Sequence, residues 1–179
     1  CIVVYDKDGN YKSSAQIKAA GASLCYSVAV DKRDNIFVTG STVGATDFGN
    51  EKTVTIAGSN PGTFLACYNN SLVCQWAIAG SSPVQSYGWA VNFDKEENIL
   101  LTGRFGTTFT ITGTDGEALT TAVGSESSQD TYVAKLSHEG VGRWITYVTN
   151  SNRIDTRSID SDSQGNVYIW GHCQSAGYP

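Results

Sequence analysis

The sequence predicts an all-β protein built from repeated four-stranded units. One sequence pattern occurs three times, as SVAVDKRDNIFVTG (27–40), AVNFDKEENILLTG (90–103) and SIDSDSQGNVYIWG (158–171). It consists of an apolar residue, an Asp, a polar turn, an Asn and a β-run that ends in Gly. A second sequence pattern alternates with the first, as TFLACYNNSLVCQWAIAG (63–80) and TYVAKLSHEGVGRWITYV (131–148), and CIVVYDKDGNYKSSAQI (1–17) is a looser copy of it. Each pattern contains two β-runs around a short polar turn, which is typical of a β-hairpin.

The period of the repeat indicates the architecture. Without gaps, Asp31, Asp94 and Asp162 fall in register at offsets of 63 and 68 residues. Two hairpins per period give four strands, and one four-stranded antiparallel sheet per repeat is the blade of a β-propeller. An up-and-down β-sandwich ranks second, because it would not demand so regular a repeat.

The hairpins divide residues 1–179 as a single β-propeller segment. In chain order they are an outer hairpin (1–18), one blade (24–80), a second blade (86–148) and an inner hairpin (155–172). Two complete blades and two half blades are fewer than the roughly 4–8 blades of closed rings, so we expect part of a larger ring. The lack of an initial Met and of a signal peptide indicates a processed or partial chain.

Two long connections, 43–62 and 105–129, join the same pair of strands in successive blades. They are therefore expected to emerge on one face of the ring, which becomes the predicted binding face. Their length predicts extra strand, such as Thr53–Ala57 in the first connection.

Composition argues against two classes of partner. The formal net charge is −5 and Lys and Arg are scattered, which disfavours nucleic-acid binding and adhesion to anionic membranes. No apolar stretch approaches the ~20 residues of a membrane span.

The five cysteines suggest an oxidising compartment. Cys67 and Cys74 lie symmetrically about Asn70-Ser71, and a two-residue turn would place them opposite each other, so either a disulfide or two buried thiols is expected. The sequence assigns no partner to Cys1, Cys25 or Cys173. Asn69 begins the one glycosylation sequon.

The segments DSQGNVYIWG, DKRDNIFVTGSTVGATDFG and DTYVAKLSHEGVGRWITYV resemble the β-propeller repeat of large bacterial secreted and cell-surface proteins. The resemblance covers nearly the whole chain. It implies a propeller fold and a surface, adhesion or secretion-linked role, and it carries no catalytic signature. The chain departs from the pattern at Asp34 and Glu97, which stand where the repeat has Gly before Asn.

Three positions are predicted to bind a ligand because they vary where the scaffold repeats. Tyr26, Trp89 and Arg157 occupy matching places just before the inner strands, whereas aromatic residues that recur in phase are explained by packing between blades. The three side chains are expected to line the mouth of the ring and to stack on a sugar or peptide.

A calcium site is the second candidate. Asp160, Asp162 and Gln164 place oxygen ligands at alternate positions before a Gly, but Gly171 stands where an EF-hand has its closing Glu. The alternative is that the Asp residues accept hydrogen bonds from turn amides. Apart from that calcium, no cofactor is predicted.

These observations predict a non-enzymatic, secreted or cell-surface propeller module that binds a protein or a glycan. No nucleophile elbow, phosphate loop or facing carboxylate pair is present. Two alternatives remain: an architectural subunit of an extracellular filament or sheath, and the scaffold of a secreted enzyme whose catalytic residues lie elsewhere. The other partners expected are further blades of the same protein or neighbouring subunits. The sequence identifies neither the ligand, the number of blades, the source nor the assembly state.

Overall fold

The computed structural model describes residues 1–122, 130–149 and 153–174, and within these ranges every regular element is a β-strand. The strands are β1 (Ile2–Tyr5), β2 (Tyr11–Ala15), β3 (Lys18–Ala19), β4 (Ser23–Val30), β5 (Ile36–Thr42), β6 (Gly44–Asp47), β7 (Thr53–Ile56), β8 (Gly62–Tyr68), β9 (Cys74–Ser81), β10 (Ser86–Phe93), β11 (Ile99–Phe105), β12 (Thr108–Thr112), β13 (Ala118–Ala122), β14 (Asp130–Leu136), β15 (Gly142–Val148), β16 (Arg153–Ser161) and β17 (Val167–Gln174). The predicted all-β fold class is confirmed.

Two four-stranded antiparallel arrangements form the blades. The first blade is β4-β5-β8-β9 and the second blade is β10-β11-β14-β15. Before them, β1 and β2 make a leading hairpin, and after them β16 and β17 make a trailing hairpin. Every pairing in these sheets is antiparallel, so the predicted four-stranded antiparallel blades are confirmed.

The blades bury their apolar faces against each other. Phe37 and Leu65 of the first blade share a cluster with Val91 and Leu101 of the second. A further cluster joins the second blade to the trailing hairpin, where Leu100 is buried with Ile159. The residues alternate along each strand, so one face of each sheet meets the preceding unit and the other meets the following unit.

The inner turns are closed by the recurring Asp and Asn. Asp94 Oδ1 accepts hydrogen bonds from the backbone N–H groups of Glu96 and Asn98, both at 2.9 Å, and its Oδ2 accepts one from Asn98 Nδ2 at 2.9 Å. Asp31 and Asp162 make the same contacts in their own turns. The Asx turn explains why these residue types recur at this spacing.

The described residues of the two long connections, 43–62 and 105–122, form hairpins that reach back to the preceding unit. β12–β13 extends the first blade, because Ile111 and Thr110 pair with Gly80 and Ser81 at the end of β9. β6–β7 pairs in the same way with β3, which follows the leading hairpin. We call these two hairpins the straps. The expected strand at Thr53–Ala57 is present as β7, and its partner β6 is an addition to the prediction.

Of the two alternatives for Cys67 and Cys74, a disulfide or two buried thiols, the structure shows two buried free thiols and no disulfide between them. The turn is longer than the two residues assumed, with Leu72 at φ +60°, and the strands shift register beside it. Cys67 therefore pairs with Trp76, and Cys74 pairs with Tyr68. The two thiols belong to different core clusters on opposite faces of the sheet.

Candidate functional site

The first strand of each inner hairpin (β4, β10 and β16) contains a β-bulge at the same place in the repeat. The register of the inner pairs shifts between Cys25 and Ser27, between Gly88 and Ala90, and between Thr156 and Ser158. The extra residues are Tyr26, Trp89 and Arg157, the three that the sequence singled out. A bulge redirects a side chain relative to the strand around it, so the repeat presents one variable residue per blade.

The recurring Gly in the second strand of each inner hairpin (β5, β11 and β17) makes the bulge in the first strand possible. A Cβ on Gly40 would overlap the backbone carbonyl oxygen of Leu24, and one on Gly103 would overlap that of Tyr87. Gly171 stands in the same relation to the carbonyl of Asp155. The recurring Gly is therefore needed for the close approach of two strands opposite the bulge.

The structure brings the three bulge residues together as a column that crosses from blade to blade. The ring centroids of Tyr26 and Trp89 are 4.3 Å apart, and the Arg157 guanidinium carbon lies 4.8 Å from the Trp89 ring centroid. We call these residues the bulge column. Trp89 is contacted by both neighbours, whereas the Arg157 side chain is 49% exposed. Cation–π contact of this kind holds a guanidinium in place while its N–H donors still face solvent.

A buried ion pair lies beside the bulge column and was missed by the sequence analysis. Arg104 Nη1 contacts Asp155 Oδ1 at 3.3 Å, with both side chains almost fully buried. The Arg104 guanidinium also lies 4.7 Å from the ring centroid of Tyr87, and Asp155 Oδ2 lies 3.8 Å from Arg157. The signal that could have found the pair is variation within the repeat, since Arg104 occupies the place of Ser41 after the closing Gly.

The bulge column and this ion pair combine two chemistries. Half-buried aromatic rings offer apolar surface to a sugar ring or an aliphatic side chain. A half-exposed guanidinium above a carboxylate offers directed donors to hydroxyl, carbonyl or carboxylate oxygens. This set suits recognition by contact and contains no arrangement of nucleophile and base.

At the calcium candidate, the structure shows an Asx turn. Asp162 accepts hydrogen bonds from the backbone N–H groups of Gln164 and Asn166 at 2.9 Å and from the Tyr168 hydroxyl at 3.0 Å. The Asn166 side chain contributes most to holding the pKa of Asp162 at about 2. Asp160 Oδ1 accepts a hydrogen bond from its neighbour's backbone N–H instead. Among the described residues no three His, Cys, Asp or Glu side chains converge, and calcium binding stays a prediction.

The sequon residue Asn69 has the same role in an outer hairpin. Its Oδ1 accepts hydrogen bonds from the backbone N–H groups of Ser71 and Val73, both at 3.0 Å. Asn69 is half-buried at the turn. Its glycosylation stays a prediction.

The comparisons with known proteins agree with this geometry. Residues 14–49, which include the first inner hairpin and the start of the first strap, match the family described as "Beta-propeller repeat". A curated relative, the "Uncharacterized WD repeat-containing protein L264" of Acanthamoeba polyphaga mimivirus, is 28% identical over 165 residues. That match covers 83% of this chain and 12% of the relative.

The blades, the bulges and these matches define a protein made of β-propeller repeats. The repeat family suggested by the sequence is the one matched at residues 14–49. The match to a propeller repeat and to a WD repeat-containing protein supports a binding or scaffold module. Within the described residues, no helix has the length and apolar character needed to cross a membrane.

Proposed function

We propose that this chain is a non-enzymatic propeller module of the cell exterior that binds a protein or a glycan through the bulge column. The observation that carries the proposal is the contrast between backbone and side chain at the three bulges. The backbone and the closing Gly are repeated, while the displayed residue changes from Tyr to Trp to Arg. Packing alone would favour the same residue in each blade.

The bulge column lies midway along the first strands of the inner hairpins. Tyr26 and Trp89 are each the fourth residue of an eight-residue strand, and Arg157 is the fifth of nine, while connections 43–62 and 105–129 leave the blades beside the N-terminal ends of those strands. Since the described parts of both connections are folded into straps, contact with a partner on this face would come from the strap edges together with Tyr26 and Arg157. Location at the cell exterior rests on the resemblance to secreted and surface repeats.

Binding to a glycan array and to candidate protein partners tests the proposal. Arg157→Ala and Tyr26→Ala are each expected to weaken binding at least about fivefold, because truncating an aromatic or Arg anchor costs more than about 1 kcal/mol. Gln75→Ala is the matched control, since Gln75 is exposed on the outer strand β9, away from the bulges. Binding that survives both column substitutions unchanged would show that the partner contacts another surface.

The architectural alternative is favoured by one observation. The trailing hairpin exposes two large aromatic side chains, Tyr168 at 57% and Trp170 at 70%. Among the residues that the structure describes, β17 pairs only with β16. Exposed aromatic surface beside such a strand edge is typical of a contact between protein units.

A further inference from the structure

We propose that a groove on the outer rim of the first blade binds an extended, uncharged peptide segment of a partner protein, which adds a strand to the free edge of β7. The groove has a volume of about 920 Å³. On one side it is lined by β7, and on the other by the outer strand β9 and the strap strand β12. We call it the rim groove. It shares no residue with the bulge column, so this proposal does not depend on ligand binding there.

The rim groove lies between two units that already pack on each other. Strand β7 belongs to the strap that pairs with β3, whereas β9 and β12 belong to the sheet of the first blade. Val54 of β7 is buried in one cluster with Ala77 and Ala79 of β9. Further blades would extend the ring beyond the leading and trailing hairpins, and they would not enter between these neighbours. The rim groove is therefore left for an occupant of another kind.

Strand β7 presents backbone hydrogen-bonding groups to the rim groove. Among the described residues, β7 pairs only with β6. The turn between the two strands is closed by the Phe48 N–H, which donates to the Lys52 carbonyl oxygen at 2.8 Å. Because hydrogen-bonded and non-hydrogen-bonded pairs alternate along an antiparallel ladder, the N–H and C=O groups of Thr53 and Thr55 point away from β6. Thr55 lines the rim groove, so this free edge faces it.

The wall beyond this edge consists of small and hydroxyl side chains. Thr108, Thr110 and Thr112 alternate along β12, so they lie on one face of the strap, and all three line the rim groove. Ala77 and Ala79 of β9 line it as well. Short side chains leave room for a strand beside β7, and every second side chain of that strand would rest on the threonine hydroxyls.

The lining of the rim groove favours an uncharged peptide. None of the described residues that line it is charged, although Asp, Glu, Lys and Arg make up 16% of the chain. A charged side chain placed there would lose water without gaining an opposite charge. The same residues include no aromatic ring, the surface that a sugar ring would use for stacking. A peptide backbone, by contrast, matches the free edge of β7.

A buried hydroxyl at one end of the rim groove also indicates a ligand. Ser82 lines the rim groove, and its hydroxyl oxygen is buried without a hydrogen-bond partner in the described part of the chain. Leaving a buried hydroxyl unpaired costs free energy. The loops after β7 and β9 meet at this end, where Asn60 Nδ2 donates to the Pro83 carbonyl oxygen at 3.1 Å. A peptide that runs along β7 towards these loops would bring a backbone amide to the Ser82 hydroxyl.

These features suit recognition by strand addition. In this mode, main-chain hydrogen bonds provide affinity, and alternate side chains provide specificity. Thr53 and Thr55 each offer one N–H donor and one C=O acceptor on the free edge. The threonine face accepts small or β-branched side chains and no charge. We therefore expect a partner segment rich in Thr, Ser, Val and Ala.

Fluorescence anisotropy with labelled peptides tests binding. The probes are acetylated and amidated octapeptides built from Thr, Ser, Val and Ala, and the tightest of them is compared with a version that carries Pro at its central positions. Pro removes N–H donors from the added strand, so the Pro version should bind at least about tenfold more weakly. Equal affinities of the two peptides, or no binding by any octapeptide, would overturn the proposal.

Variants of β7 separate recognition of the backbone from recognition of the side chain. Thr55→Pro removes an N–H that makes no bond within the strap, and an edge strand tolerates Pro at such a position. Thr55→Val, the matched control, keeps the N–H and the side-chain shape. Affinity should fall at least about tenfold with Thr55→Pro and change by less than about twofold with Thr55→Val. Similar affinities of the two variants would show that the edge of β7 is not used.

A variant on the opposite wall tests the site without changing β7. Thr112 is exposed and lines the rim groove, so Thr112→Arg should fill it with a long charged side chain while the strap stays folded. Circular dichroism measures the melting temperature of each variant and separates loss of binding from loss of folding. Full binding by a folded Thr112→Arg protein would place the peptide elsewhere and overturn the site.

Amide hydrogen exchange measured by NMR identifies the edge that is used. In the free protein, the amides of Thr53 and Thr55 should exchange faster than those of Val54 and Ile56, which bond to β6. Bound peptide should slow exchange at Thr53 and Thr55 selectively. Slowing confined to the bulge column would overturn the proposal. So would protection of Thr53 and Thr55 by a neutral β-linked glucose hexasaccharide and not by the peptide, because that result would assign the rim groove to a glycan.

Discussion

The recurring Gly in the second strand of each inner hairpin allows a direct test of whether the close approach of the two strands at the bulge requires Gly. Gly103→Ala adds one methyl group at a position where the Cβ would overlap the Tyr87 carbonyl and lie 2.9 Å from Cε1 of Tyr132. Tyr132 is fully buried and the Tyr87 carbonyl belongs to the backbone, so neither group can move away cheaply. We expect a loss of about 3 kcal/mol in the free energy of unfolding, the upper end of typical overpacking costs.

The matched control is Gly116→Ala in the turn of the second strap. Gly116 has φ +85° and nothing within 4 Å of its Cβ position, so this change tests backbone strain alone. The strain of a left-handed residue is about 1–2 kcal/mol. For a chain of this length, 1 kcal/mol corresponds to about 2–4 °C in the melting temperature.

Thermal unfolding followed by circular dichroism measures the difference. Gly103→Ala is expected to melt about 6–12 °C below the natural protein, and Gly116→Ala about 2–8 °C below it. Chemical denaturation should rank the two variants in the same order. If Gly103→Ala were no less stable than Gly116→Ala, the close approach of strands would not be what requires Gly at this place.

Three further outcomes follow from the turns and the buried thiols. Burial raises the pKa of Asp31, but hydrogen bonds from His138 and the turn outweigh it and hold that pKa at about 2, against 3.8 for a free Asp. Its contribution to stability should therefore be complete above about pH 4 and lost as the pH falls towards about 2, and Asp31→Asn should flatten acid unfolding curves in that window. Asp34→Gly should stabilise the protein by about 0.5–1 kcal/mol in urea titrations, because Asp34 has φ +62°; an unchanged or lower midpoint would contradict this. Burial raises the pKa of Cys67 to about 12 and that of Cys74 to about 11. At pH 8, iodoacetamide should therefore label the two thiols only after the protein has been unfolded, as measured by mass spectrometry. No reducing agent should be needed for that labelling.

The sequence contained the repeat, and the repeat carried much of the candidate site. In a structure where each unit copies the last, residues at equivalent positions lie at equivalent places in neighbouring blades. For that reason the matching positions of Tyr26, Trp89 and Arg157 place them in neighbouring blades at equivalent points, while their role in ligand binding stays a prediction. The sequence signal for the bulge itself is weaker, because it consists only of the recurring Gly in the second strand of each inner hairpin.

Features that depend on contact across blades were not predictable in the same way. The ion pair of Arg104 and Asp155 joins residues 51 apart, and only the packing of the second blade on the trailing hairpin brings them together. The register of the Cys67 hairpin depended on the length of its turn, which the sequence did not settle, because a turn with Leu72 at positive φ is unusual for that residue type. The pairing of each strap with the preceding unit has no local sequence signal.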